Sequence, residues 1–74
     1  MEYLDAALKV LREENTPLHW TVVQDLALKR GYLDPFTQPD IRKNLLAALA
    51  RAAREGVVIK EGTGVYAIPE GAGS

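Results

Sequence analysis

Four prolines and six glycines cut this chain into pieces, and their positions limit what each piece can become. Proline fixes its own φ and has no amide proton, so no helix runs unbroken through Pro17, Pro35 or Pro39, and a strand ends at Pro69. Glycine reaches positive φ without steric cost, so Gly31, Gly56 and the pair Gly62 and Gly64 mark helix ends and a tight turn. Three segments of helical length and one of hairpin length lie between these breaks.

The hydrophobic pattern assigns each segment. Leu4, Ala7, Leu8 and Leu11 recur at the spacing of one helix face, with Asn15 as the stop before Pro17. Residues 16–20 form a short extended connector, of which 18–20 can supply one strand. Thr21-Val22-Val23-Gln24 matches a capping box and predicts a second helix to about Arg30, with Val22, Val23, Leu26 and Ala27 facing in and Leu28 off that arc. Gly31 follows as a left-handed stop. Residues 32–39 form a turn in which some of Tyr32, Leu33 and Phe36 fill the core. A third helix is expected from Pro39 or Asp40, with Ile41, Leu45, Ala48, Leu49 and Ala52 as its apolar stripe. Val57–Lys60 and Val65–Ile68 read as a hairpin around Gly62-Thr63-Gly64. Two strands alone are marginal in water, so the hairpin must pack on the helices. The arrangement is α+β and mainly helical: a winged helix-turn-helix domain over residues 1–69, followed by a tail or linker at 70–74.

At 74 residues without a cysteine, the chain has one small core and no disulfide. No apolar run approaches the roughly 18 residues that span a bilayer. The start lacks the basic and apolar regions of a secretory signal, so a cytoplasmic location is expected. Net charge is −1, but its distribution is uneven. Residues 1–28 carry two basic and five acidic side chains. Residues 41–60 carry Arg42, Lys43, Arg51, Arg54 and Lys60 against Glu55 alone. Binding follows the local field more than the total.

The chain resembles the HARE-HTH family of winged helices over residues 4–68. The matching features are Leu11-Arg12-Glu13, then Thr16-Pro17-Leu18-His19-Trp20, then Arg30-Gly31-Tyr32-Leu33. A Pro39-led helix with Leu46-Ala47-Ala48-Leu49 follows, then Gly64-Val65-Tyr66-Ala67-Ile68. Members occur beside restriction endonucleases, in chromatin proteins of the Asx-like Polycomb type and in the delta subunit of bacterial RNA polymerase. The resemblance implies DNA binding, or docking on a DNA-handling machine, and no catalysis.

The third helix carries the functional candidates. At 100° per residue, Lys43, Asn44, Ala47, Ala50, Arg51 and Arg54 share the arc opposite the apolar stripe. Recognition helices enter the major groove, roughly 12 Å wide, and read base edges with Arg, Lys and Asn. Asn44 suits adenine, Ala47 and Ala50 permit close approach, and Arg42, Arg51 and Arg54 suit phosphate or guanine. An ordinary solvated helix has the same composition; its place after a helix and turn favours recognition. On the hairpin, Lys60 and Thr63 can reach phosphates, although Glu61 opposes this and the turn glycines need no ligand to explain them.

Other constellations are weak. His19 is the only histidine and Ser74 the only serine. Metal sites need three or four ligands and nucleophilic catalysis a partnered base, so neither an enzyme nor a cofactor is expected. Trp20 reads as core or a lid on the second helix. Glu13 and Glu14 read as a solvated acidic face. The expected partner is duplex DNA, in transcription or restriction and modification. The alternative is a protein partner, such as a polymerase or nuclease component, or a second copy in a dimer.

Overall fold

A computed structural model describes residues 1–69. It contains α1 (Tyr3–Glu14), β1 (Leu18–His19), α2 (Trp20–Lys29), α3 (Ile41–Arg54), β2 (Ile59–Gly62) and β3 (Val65–Ala67). The fold is α+β and mainly helical, with one antiparallel sheet in the order β1-β3-β2. The expected short strand is present at Leu18–His19, and it pairs with β3 through Leu18 opposite Tyr66 and His19 opposite Val65. The tail assigned to 70–74 lies outside the described residues.

α1 packs on both other helices, so its buried arc is wider than one stripe. Ala6, Ala7, Val10 and Leu11 are buried, and Leu4 and Leu8 flank them half-buried. Asn15 closes the helix with a left-handed φ of 51°, its N–H donating to the Leu11 carbonyl. Leu45, Leu49 and Ala52 of α3 complete the core with Val23, Ala27, Leu33, Val58 and Tyr66.

Several boundaries differ from the sequence expectation. The second helix begins at Trp20, and its cap is His19, not Thr21. His19 is extended, and its Nδ1 accepts from the Thr21 N–H at 3.3 Å and lies 2.8 Å from the Thr21 hydroxyl oxygen. The buried arc differs as well: Val22 is exposed, while Gln24 and Leu28 are half-buried. Gln24 makes no capping box, and its buried Oε1 meets no donor among the described residues.

The third helix starts at Ile41, with Asp40 as a left-handed cap at φ 49°, so neither Pro39 nor Asp40 lies inside it. The hairpin also starts later than its β-branched run suggested. The Val57 and Val58 amides both turn back to the Ala52 carbonyl, at 2.8 and 3.4 Å, and satisfy the end of α3 instead of a ladder. Val58 is buried and Val57 exposed. The return strand stops at Ala67, before Ile68. Of the turn aromatics, Tyr32 is half-buried and Leu33 fills the core, but Phe36 is 95% exposed.

Candidate nucleic-acid interface

The solvent arc of α3 follows from its buried one. Leu45, Leu49 and Ala52 set the inward direction, which leaves Lys43, Ala47 and Arg54 pointing out and exposed. Ala50 beside them is half-buried. With a rise of about 1.5 Å per residue, Lys43 and Arg54 stand about 16 Å apart along the axis. This is a basic ridge with a small-residue floor.

Arg42 lies on one flank of that ridge. Its guanidinium carbon sits 5.4 Å from the centre of the Trp20 ring, a cation–π contact that orients a charge the sequence left free to swing. Arg51 lies on the other flank. It is 74% exposed, and its Nε donates to Glu55 at 3.2 Å, one turn on. That pair holds Arg51 away from the centre of the arc and partly cancels its charge.

Asn44 has a different task from base reading. It is half-buried, and its amide nitrogen donates to the Pro39 carbonyl at 3.0 Å and to the Tyr3 hydroxyl oxygen at 3.3 Å. The Tyr3 hydroxyl in turn donates to the same carbonyl at 2.8 Å. These bonds fasten the α2–α3 turn to the starts of α1 and α3, and they occupy the group that would otherwise face adenine.

The hairpin brings Lys60 and Thr63, both exposed, into the picture. Lys60 stands opposite Tyr66, and the ladder is irregular between Lys60 and Gly62, where Glu61 intervenes. Thr63 and Gly64 form the turn, and Gly64 alone of the hairpin glycines has positive φ, at 72°. The Gly64 carbonyl accepts from the Trp20 N–H at 2.8 Å. A Cβ at position 64 would stand 2.8 Å from His19 Nε2 and 3.0 Å from Trp20 Cδ1. Trp20 thus touches both the hairpin turn and Arg42, and it ties the hairpin to the start of α3. His19 continues the cluster, its ring centre 5.7 Å from that of Trp20.

Acidic residues concentrate elsewhere. Arg30, which closes α2, bridges to Glu13 and Glu14, both at 2.8 Å. Tyr32 donates its hydroxyl to Glu13, and the Lys9 ammonium lies 5.3 Å above the Tyr32 ring. The Tyr32 hydrogen bond first, and Arg30 with it, hold the Glu13 carboxyl below its ordinary range against a contribution from partial burial. The same bond raises Tyr32. Glu14 is the main cause that raises Arg30. Glu13 and Glu14 are therefore a latch between α1 and the end of α2, not merely a solvated face. Only the like spacing of acids on one helix and a cation on the next hinted at it.

Among the described residues no group of three His, Cys, Asp or Glu stands together as a metal site, and no helix is long and apolar enough to cross a membrane. This chain matches no family model, no curated protein and no solved structure.

Proposed function

We propose that the chain is a winged helix-turn-helix module that binds duplex DNA, in transcription or in restriction and modification, without catalysing a reaction. The outer face of α3 enters the major groove and the hairpin acts as the wing on the backbone. The observation that carries this reading is the link through Trp20. It joins Arg42 on α3 to the turn of the wing, so that two segments far apart in sequence present one rigid surface. Lys43, Arg54 and Arg42 are the primary contacts, Lys60 and Thr63 the wing contacts, and Ala47 the close-approach position. Arg51 contributes after releasing Glu55.

The test is fluorescence anisotropy of labelled random duplex DNA titrated at several salt concentrations. Binding should weaken linearly in log–log form with a slope of about −3 to −5, from four to five displaced phosphate counterions. Lys43→Ala and Arg54→Ala should each flatten the slope by about one unit. Absence of binding at high micromolar protein in low salt would sink the reading. The net charge of −1 then favours a protein-docking module as the second reading, with a polymerase or nuclease component as partner.

A further inference from the structure

α3 has five polar side chains, Arg42, Lys43, Asn44, Arg51 and Arg54, and a base reader on this helix must be one of them. Reading a base edge takes a planar fork on the outer arc: a guanidinium for guanine, a side-chain amide for adenine. Three of the five have that chemistry and are held elsewhere. The Asn44 amide nitrogen already donates to the Pro39 carbonyl and the Tyr3 hydroxyl oxygen. The Arg51 Nε donates to Glu55. Arg42 lies about 100° round the helix from Lys43, off the outer arc. Its guanidinium rests against the Trp20 ring on the hairpin side.

Lys43 and Arg54 are left on the outer arc, both exposed. Lys43 ends in a point charge without a fork. Arg54 has the fork but is the last residue of α3, whereas recognition helices meet base edges with their N-terminal residues. The two stand about 16 Å apart along the axis, more than the roughly 12 Å width of the major groove. A helix laid across the groove therefore brings each cation to the phosphate rim of a different strand. Between them Ala47 and Ala50 offer methyl groups and no hydrogen-bonding side chain.

We propose, resting on the duplex-binding reading above, that the module takes B-form duplex DNA of any sequence and recognises the spacing of its phosphates, not its bases. Phosphate contacts fix register and orientation but carry no sequence information. Lys43 and Arg54 supply the two rims, Arg42 the hairpin side and Lys60 the wing, all four exposed. Four such contacts correspond to a log–log salt slope of about −3.6. Arg51, on the flank away from the wing, is a fifth cation that Glu55 holds back. The groove width supplies the selection for B-form, because the major groove of an A-form helix is too narrow for side chains to read.

Competition anisotropy with the full chain decides it, unlabelled duplexes of unrelated sequence displacing one short labelled DNA duplex in low salt. They should compete within about threefold of one another, where a single forked base contact would separate them by about 5- to 150-fold. Duplex RNA of the same sequence should compete at least about tenfold less well. Asn44→Ala should lower the melting temperature by about 5 °C, as a lost structural hydrogen bond does, and leave every duplex affinity within about twofold. Glu55→Gln should steepen the salt slope by about one unit for all sequences alike. A sequence preferred by more than about tenfold, or an Asn44→Ala chain that loses affinity for some sequences only, overturns the proposal and leaves duplex binding standing. So does a Glu55→Gln gain confined to one sequence, which makes Arg51 a reader, or RNA that competes as well as DNA. Absence of binding to every duplex removes the duplex reading itself, and this proposal with it.

Discussion

A methyl group at position 64 meets two obstacles at once. The backbone there has a φ of 72°, which an L side chain adopts at a cost, and the new carbon would lie 2.8 Å from the imidazole of His19. Gly64→Ala should cost about 2 kcal/mol, the sum expected of a left-handed residue and a local clash. For a domain this size that lowers the melting temperature by about 10 °C. Circular dichroism melts check the loss, and an unchanged melting temperature would mean that the turn slides off His19 freely. Gln24 has the opposite prospect. A buried acceptor without a donor is destabilising, and Met offers similar length without the polar atom. Gln24→Met should raise stability by about 1 kcal/mol, or about 5 °C in the same melts. A fall instead would show that the amide is satisfied.

Between elements, the latch of Arg30 and Tyr32 on Glu13 and Glu14 makes the α1–α2 contact sensitive to acid. A carboxyl whose folded pKa is depressed stabilises the fold above its unfolded pKa, and that contribution disappears as pH falls through the folded value. Glu13 is such a group, so denaturant midpoints should drop on acidification below about pH 4.5, the top of the ordinary glutamate range. Glu13→Gln should flatten the drop; an equal slope in both proteins would remove the latch from the account. Tyr32 has the reverse sign, contributing below its unfolded pKa and losing that contribution as pH rises through the raised value. Such latches explain what could be read from the sequence and what could not. Pro17, Gly31 and Gly56 announce breaks through their own backbone restrictions, which are local, so the elements were legible to within a residue or two. His19 as a cap was not, because histidine is an uncommon cap and Thr21 offered a better-known pattern. Asn44 looked outward by helical phase alone. Its inward turn depends on Pro39 and Tyr3, the latter far away in sequence, and no periodicity encodes such a meeting.

For the molecule as a whole, charge and shape divide the surface. Glu13 and Glu14 of α1 are engaged at the α1–α2 contact, and the exposed face of α3 is basic despite a net charge of −1. Phe36 illustrates the limit of sequence reading at this scale. An aromatic residue among prolines suggests a core plug, and only the completed turn shows Leu33 in that place and Phe36 outside. The sheet order has a consequence for how the molecule is made. The middle strand is β3, the last to leave the ribosome, and it alone holds β1 and β2 together. While Tyr66 is still in the exit tunnel, Leu18 lacks its neighbour, Trp20 lacks the carbonyl of Gly64 and the helices lack one wall of their core. The nascent chain therefore waits, with its three helices already synthesised, for a handful of late residues to turn a loose cluster into a folded protein.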